Sequence, residues 1–248
     1  MMNNLGPTRS RRRPLEVGLG VVLLMGLLSC SGYQRSGDHI VYNYWNEGNG
    51  HQTCTLDGAD VGSFETLAHG YARDRNRAYL RCASIVGSQP ASFVPLSETY
   101  AKDAIHVYYQ DKQVPGADPA SFSPIDLNYG RDRTDVYDHD SPVHACDPAS
   151  FRLLGDTSWA VDSKCAYSND FKLPGADPAS FVVINDTYAR DAAHVYTNVR
   201  PYVISGADPG SFELVTGKMI SCGGAYLATA KDRSRYYRFG DVCTVVKR

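Results

Sequence analysis

One phrase keeps returning in this chain and constrains its fold more than anything else. "PGADPASF" stands unchanged at Pro115–Phe122 and at Pro174–Phe181. Near-copies read "SQPASF", "ACDPASF", "SGADPGSF" and "DGADVGSF". Each copy ends in a phenylalanine: Phe64, Phe93, Phe122, Phe151, Phe181 and Phe212, at spacings of 29, 29, 29, 30 and 31 residues. A fixed period of this length marks repeated supersecondary units, none of which can bury its apolar face alone, so neighbours must stack.

Further anchors keep step with the phenylalanines. Tyr71, Tyr100, Tyr129 and Tyr188 follow seven residues on, and Trp159 follows eight on in its unit. Three residues later comes Asp74, Asp103, Asp132, Asp162 or Asp191, and five beyond each aspartate is Tyr79, Tyr108, Tyr137, Tyr167 or Tyr196. The last unit carries an insertion, "TGKMISCGG", at 216–224, ahead of Tyr226, Asp232 and Tyr236-Tyr237. It reads as a terminal cap. An incomplete unit, "YQRSGDHIVYNYWNEGNG", precedes the first.

The local chemistry of "YAKDAIHVYY" (Tyr100–Tyr109) is that of a β-hairpin. Two aromatic and β-branched runs flank an aspartate, which favours the first position of a type I turn because its carboxylate accepts backbone N–H bonds. The turn is predicted at Asp103–His106. In the loop that follows, Pro115-Gly116 ends the strand, and Asp118-Pro119 starts a short helical turn, with aspartate as the cap and proline at the first helical position. Phe122 and Phe181 are expected to drop into the core. The register, and so which tyrosines face inward, stays open.

The expected fold is therefore all-β: an array of about six β-hairpin repeats of 29–31 residues joined by short helical turns. A solenoid-like stack is favoured. A propeller-like ring is the alternative, although 29 residues are few for blades of about 40 to 50.

The first 29 residues read as a lipoprotein signal peptide. Arg9, Arg11, Arg12 and Arg13 precede the uncharged run "VGLGVVLLMGLL", which is too short to span a bilayer needing about 20 helical residues. "LLSC" follows directly and resembles a bacterial lipobox, with Cys30 as the lipidated residue. Residues 30–248 would then form a single repeat domain on the bacterial cell envelope, attached to the membrane through acyl chains on Cys30. Ser31 after Cys30 favours outer-membrane delivery. The general secretory route is favoured over twin-arginine export, because Pro14 stands where that motif prefers an aromatic residue.

Removing residues 1–29 takes four arginines and one glutamate from the 25 basic and 27 acidic residues, leaving a net charge of about −5. A nucleic-acid partner is not expected, since phosphate binding needs a concentrated basic surface. Apart from the lipidated Cys30, six cysteines are left to pair, with no C-x-x-C pair among them. In an exported chain an even number points to disulfides, with 15 pairings open. Sequential pairing, Cys54–Cys82, Cys146–Cys165 and Cys222–Cys243, is expected because repeated units contact mainly their neighbours. Free buried cysteines are the competing reading.

The elements "YAKDAIHVYY", "YARDRNRAY", "YARDAAHVY" and "GADPASF" resemble the DKNYY family of bacterial envelope proteins. That family is named for a Tyr-x-x-Asp-Lys-Asn…Tyr-Tyr hairpin followed by a Gly-Ala-Asp-Pro…Phe segment. The resemblance runs over about residues 33–240. It departs from the pattern after the aspartate, where only Arg75-Asn76 approaches Lys-Asn, while the double tyrosine survives at Tyr108-Tyr109 and Tyr236-Tyr237. The resemblance bears on fold and location more than on activity.

No catalytic site, metal site or cofactor is expected. An aspartate repeated in every unit would demand five or six equivalent active sites, whereas turn capping explains its recurrence directly. No D-x-D-x-D calcium run, G-x-S-x-G, H-E-x-x-H, P-loop or G-x-G-x-x-G appears. The sixth position after the first tyrosine is Arg77, His106, Asp135, Cys165 or His194, a variety that fits exposed positions better than ligands. The expected function is a non-enzymatic scaffold for an envelope protein partner. Glycan or peptidoglycan binding through exposed tyrosines is the second reading. It competes with a core role for Tyr71, Tyr100 and their equivalents, which sit beside the small residues Ala72, Ala101, Gly130, Ala160 and Ala189. An unfamiliar enzyme built on His139, Asp140 and His144 is the third.

Overall fold

The computed structural model describes residues 31–217, 219–223 and 226–244. The expected signal peptide and Cys30 lie outside the described residues, as do Lys218, Gly224 and Ala225 around the expected cap.

Seven small antiparallel sheets follow one another along the described chain, each a local meander. The first holds three strands, Gly32–Ser36, His39–Asn46 and Gly50–Thr55. The other six are the repeat units. Unit two shows the pattern: Val94–Pro95, Tyr100–Lys102, Val107–Tyr109 and Lys112–Gln113 pair in chain order. Its central hairpin sets Lys102 opposite Val107, Ala101 opposite Tyr108 and Tyr100 opposite Tyr109. The turn spans Asp103–His106, as the sequence predicts, and Asp103 N–H donates to the His106 carbonyl at 2.9 Å.

The sequence reading takes the residues after Tyr109 as loop. In the structure they turn back at once into a further strand, so most units are four-stranded. The connection is two residues long, and its first residue has positive φ: Arg81 (53°), Gln110 (55°), His139 (58°), Asn169 (52°) and Phe239 (48°). Asn-Gly would announce such a turn, but arginine, glutamine, histidine and phenylalanine conceal it. Unit five keeps three strands. Its return loop is longer, and only the isolated bridge Tyr196–Val203 remains of the fourth strand. The helical turns are also more modest than expected. Pro90–Ser92 and Pro148–Ser150 are single 3₁₀ turns. Elsewhere the phrase is a hydrogen-bonded turn, such as Ser121 N–H to the Asp118 carbonyl at 3.2 Å.

Side chains alternate across a strand, so each sheet buries one set toward the unit before it and the other toward the unit after it. Ala101 and Tyr108, with Phe93, pack on Tyr71, Ala78 and Ile85 of unit one. Tyr100, Val107 and Val114 pack on Phe122 and Tyr137 of unit three. The same rule joins units three to four, four to five and five to six, and joins the first sheet to unit one. Every one of these clusters links consecutive sheets, which makes the described chain an open stack and not a ring.

At each joint between units a phenylalanine is the middle of three rings. Phe122 lies 5.2 Å from Tyr100 and 6.0 Å from Tyr137. Phe93 lies 5.8 Å from both Tyr71 and Tyr108. Phe151 and Phe212 are placed alike, and tilted or edge-on pairs at these distances add about 0.5–1.5 kcal/mol each to simple burial. Phe181 departs from expectation. It is half-buried, as is Phe64, and it wedges between Trp159 and Tyr196 with part of the ring at the surface.

Gly130 stands where five other units carry alanine. A Cβ placed there would lie 2.2 Å from Cζ of the buried Phe122 ring. Gly130→Ala is therefore expected to cost about 1–3 kcal/mol through overpacking. Adding Phe122→Leu to it should cost less than the two single changes summed. Urea denaturation of the four proteins checks this, and additive costs would refute the clash.

The disulfides are Cys54–Cys82, Cys146–Cys165 and Cys222–Cys243. Loops of 28, 19 and 21 residues correspond to about 3–4 kcal/mol each in the chain-entropy description. The first ties the N-terminal sheet to unit one. The third closes the far end: Cys243 occupies the place that Val114 holds in unit two, and its bond to Cys222 holds the insertion against the last sheet. The insertion doubles back on itself, with Cys222 N–H to the Tyr226 carbonyl and Ala228 N–H to the Ile220 carbonyl, both at 2.8 Å. Tyr226 is not the unit's first aromatic anchor; it is exposed, with Arg238 above its ring at 4.3 Å. Thr229 holds that position three residues before Asp232, with its Oγ1 2.7 Å from the Tyr188 hydroxyl.

Candidate functional site

The most concentrated chemistry in the fold is the aspartate of each hairpin. Asp103 is 4% exposed and accepts four hydrogen bonds. Ile105 and His106 N–H donate to Oδ1, both at 2.8 Å. Gln89 N–H, from the linker before the unit, donates to Oδ2 at 2.8 Å. The Tyr108 hydroxyl donates to Oδ2 at 2.7 Å. The same set recurs at Asp74, Asp132, Asp162, Asp191 and Asp232.

The carboxylate thus ties three pieces together: its own turn, the linker 14 or 15 residues upstream (24 in unit six, across the insertion), and the tyrosine five residues on. Turn capping was legible in the sequence; the other two ties were not. The linker contributes a main-chain N–H, so Gln89 serves in unit two where other units carry aspartate.

The phrase has a smaller knot of its own, centred on the serine before each phenylalanine, whose hydrogen bonds the sequence does not show. Ser63, Ser92, Ser121, Ser150, Ser180 and Ser211 precede the six phenylalanines. Ser121 donates to Asp118 Oδ2 at 2.7 Å, and its oxygen accepts Arg133 N–H at 3.3 Å. The other serines bond alike, though Ser92 donates to the Gln89 carbonyl because unit two lacks the aspartate. Its recurrence in all six copies was the available signal. In units one, two, three and five the cation before the hairpin aspartate reaches the next unit's phrase: Arg73 donates to the Pro90 carbonyl at 3.0 Å, Lys102 to Pro119 at 2.7 Å, Arg131 to Ala149 at 3.2 Å, and Arg190 to Pro209.

These contacts hold the ionisable groups away from neutral pH. Burial pushes the Asp103 carboxyl up, but the Tyr108 hydroxyl and three backbone N–H groups outweigh it and the net shift is downward. Asp118, half-buried, is lowered chiefly by Ser121. Tyr108 is raised, first by burial and then by its bond to Asp103. Groups shifted in these directions are poorly matched to proton transfer at neutral pH.

The shifts fix a stability profile. As pH falls below about 4, aspartates of the unfolded chain take up protons before the native ones, so stability drops with falling pH. Above about pH 10, tyrosines of the unfolded chain lose protons that the native ones keep, so stability drops again with rising pH. Urea midpoints measured across pH should form a plateau between these limits; steady change across neutral pH would refute the assignment.

His139 and His144 do not converge. His139 Nδ1 lies 2.5 Å from Asp138 Oδ1, while the exposed His144 lies 3.2 Å from Asp135 Oδ2. His106 and His194 sit at hairpin edges, 4.0 and 3.7 Å from their own aspartates. Among the described residues no group of three or more His, Cys, Asp and Glu is gathered for a metal ion. Arg77 and His194 are exposed, whereas His106, Asp135 and the disulfide-bonded Cys165 are half-buried. The anchor aromatics Tyr71, Tyr100, Trp159 and Tyr188 are fully buried, and so offer no stacking face to a sugar.

The family model described as the DKNYY family matches residues 100–240. The chain belongs to the DKNYY family. The match takes in the hairpin of unit two and everything to the last sheet, while the N-terminal sheet and unit one fall outside it. No curated protein and no solved structure matches the chain. The geometry explains how this DKNYY chain departs from the Lys-Asn of the family signature. The two residues after Asp103 are Ala104 and Ile105, and they enter the turn network only through backbone N–H groups. Their side chains are exposed and free to vary. Tyr108 has no such freedom, since its hydroxyl and its ring are both committed to the core.

Proposed function

We propose that this DKNYY protein is a non-enzymatic, lipid-anchored scaffold of the bacterial cell envelope that presents its stacked sheets to a protein partner. One observation carries the reading: the polar groups that recur from unit to unit are engaged with one another. Aspartate, tyrosine and serine hold the units together, so recognition falls to the positions that differ between units. Arrays of this kind offer broad surfaces suited to protein partners. The Leu27–Cys30 "LLSC" segment supports attachment through acyl chains on Cys30, and Ser31 supports delivery to the outer membrane. A net charge of about −5 without its first 29 residues supports a partner other than nucleic acid.

Two experiments test this. Labelled fatty acid should enter the wild-type protein and not Cys30→Ser. In-cell crosslinking should recover a discrete envelope protein, and its recovery should fall when exposed residues that vary between units, such as Ile105 and Arg133, are replaced. Labelling that survives Cys30→Ser would refute the anchor. Absence of any crosslinked protein at normal expression would refute the scaffold.

A further inference from the structure

The N-terminal sheet and the first two units enclose an open groove of about 680 Å³ that belongs to none of the repeats. One wall is aromatic, formed by Tyr44 and Trp45. Trp45 is 65% exposed, although a tryptophan is among the costliest side chains to leave in water. The opposite wall carries Arg81, Glu98, Gln110 and Asp111, all exposed. None of these four has a side-chain hydrogen bond or ion pair among the described residues.

This contrasts sharply with the repeats, where the recurring polar side chains are partnered. The volume lies within the usual range for small-ligand sites. The lining also narrows the ligand class. A phosphate or nucleotide would need converging cations, and a single arginine faces two carboxylates here. A lipid tail would leave Arg81, Glu98, Gln110 and Asp111 without partners. An exposed indole facing planar hydrogen-bonding groups suits a ligand with an apolar face and a polar rim.

We propose that this groove is a glycan-binding site: Trp45 stacks on the apolar face of a pyranose ring, while Arg81, Glu98, Gln110 and Asp111 hydrogen-bond its hydroxyl and amide groups. The site stands apart from the buried repeat tyrosines, and it does not depend on the scaffold reading. The Cys54–Cys82 disulfide, whose Cys82 lines the groove, staples its two walls together.

The test uses the chain's own two tryptophans. Trp159 is fully buried, so acrylamide quenching reports on Trp45. Chitotetraose, maltotetraose and mannotetraose are titrated into the full chain. At least one should lower the quenching constant about two-fold, because one indole face becomes covered. Calorimetry should show Trp45→Ala weakening that sugar about ten-fold or more, the equivalent of about 1.4 kcal/mol. Glu98→Gln and Asp111→Asn should each weaken it too. The melting temperature of Trp45→Ala should stay unchanged, which separates lost binding from lost folding. Absence of shielding and of heat with all three sugars overturns the proposal. So does a Trp45→Ala variant that binds as tightly as the wild type.

Discussion

Asp103→Ala is expected to destabilise the protein by about 3–5 kcal/mol, placing it among the most damaging single changes in the chain. The carboxylate accepts hydrogen bonds from Gln89, Ile105, His106 and Tyr108. Bonds to a charged acceptor contribute about 1.5–3 kcal/mol each, but they do not simply add. Ile105 is 55% exposed, so water replaces part of what the turn loses. The Tyr108 hydroxyl is buried, and it would keep only long contacts, to the Gly87 carbonyl at 3.3 Å and to His106 Nδ1 at 3.5 Å. Two companion variants divide the effect. Tyr108→Phe keeps the ring and removes one donor, for about 1–2 kcal/mol. Asp103→Asn keeps one acceptor oxygen for the turn but turns an amide N–H₂ toward Gln89 N–H, so it should fall between the two. Urea denaturation followed by circular dichroism gives the order. Asp103→Ala costing no more than Tyr108→Phe would refute the three-way tie. The acid limb of the stability profile should also flatten in Asp103→Ala, since one depressed carboxyl has been removed.

Trp159→Ala is the second large effect, at about 3–5 kcal/mol. Trp159 is fully buried between units four and five, with its ring 5.9 Å from Phe181 and its indole N–H donating to the Asn185 carbonyl at 3.0 Å. Truncation removes the largest aromatic surface at that joint and orphans the carbonyl. Trp159→Tyr should be much milder, since Tyr188 fills the same place in unit five. The stack adds a qualitative signature. Stability in such an array is a sum of unit terms and nearest-neighbour terms, so weakening one joint uncouples the segments on either side. Hydrogen exchange in Trp159→Ala should show units five and six opening at lower free energy than units one to three. Uniform loss of protection along the chain would speak against an array held only by neighbours.

Both predictions rest on the same division of labour. Phenylalanine and tyrosine rings supply the apolar contact between sheets, and the aspartate fixes the geometry that presents those rings. Disulfides reinforce the stack at three places: the N-terminal sheet with unit one, the linker before unit four with that unit's hairpin, and the insertion with the last sheet.

The sequence by itself determined the period, the number of units, the Asp103–His106 turn and the phenylalanine joint. Each of these is local or strictly repeated, so it shows in spacing and in the preferences of single residues. Sequential pairing was one of 15 open to the six cysteines, expected because stacked units meet mainly their neighbours, and it is the pairing seen in the structure. The tertiary structure alone decided the fourth strand, since positive φ at Gln110 or Phe239 is imposed by pairing and has no sequence signature. It alone decided that Tyr100 faces the next unit and Tyr108 the previous one, because register assigns faces and a shift of one residue would exchange them. It alone gave the second carboxylate oxygen its partners: an aspartate advertises that it can accept, and only folding brings the linker N–H and the tyrosine hydroxyl to it. The groove at Trp45 is the extreme case. Its walls come from the N-terminal sheet and two successive units, and no stretch of sequence holds them together.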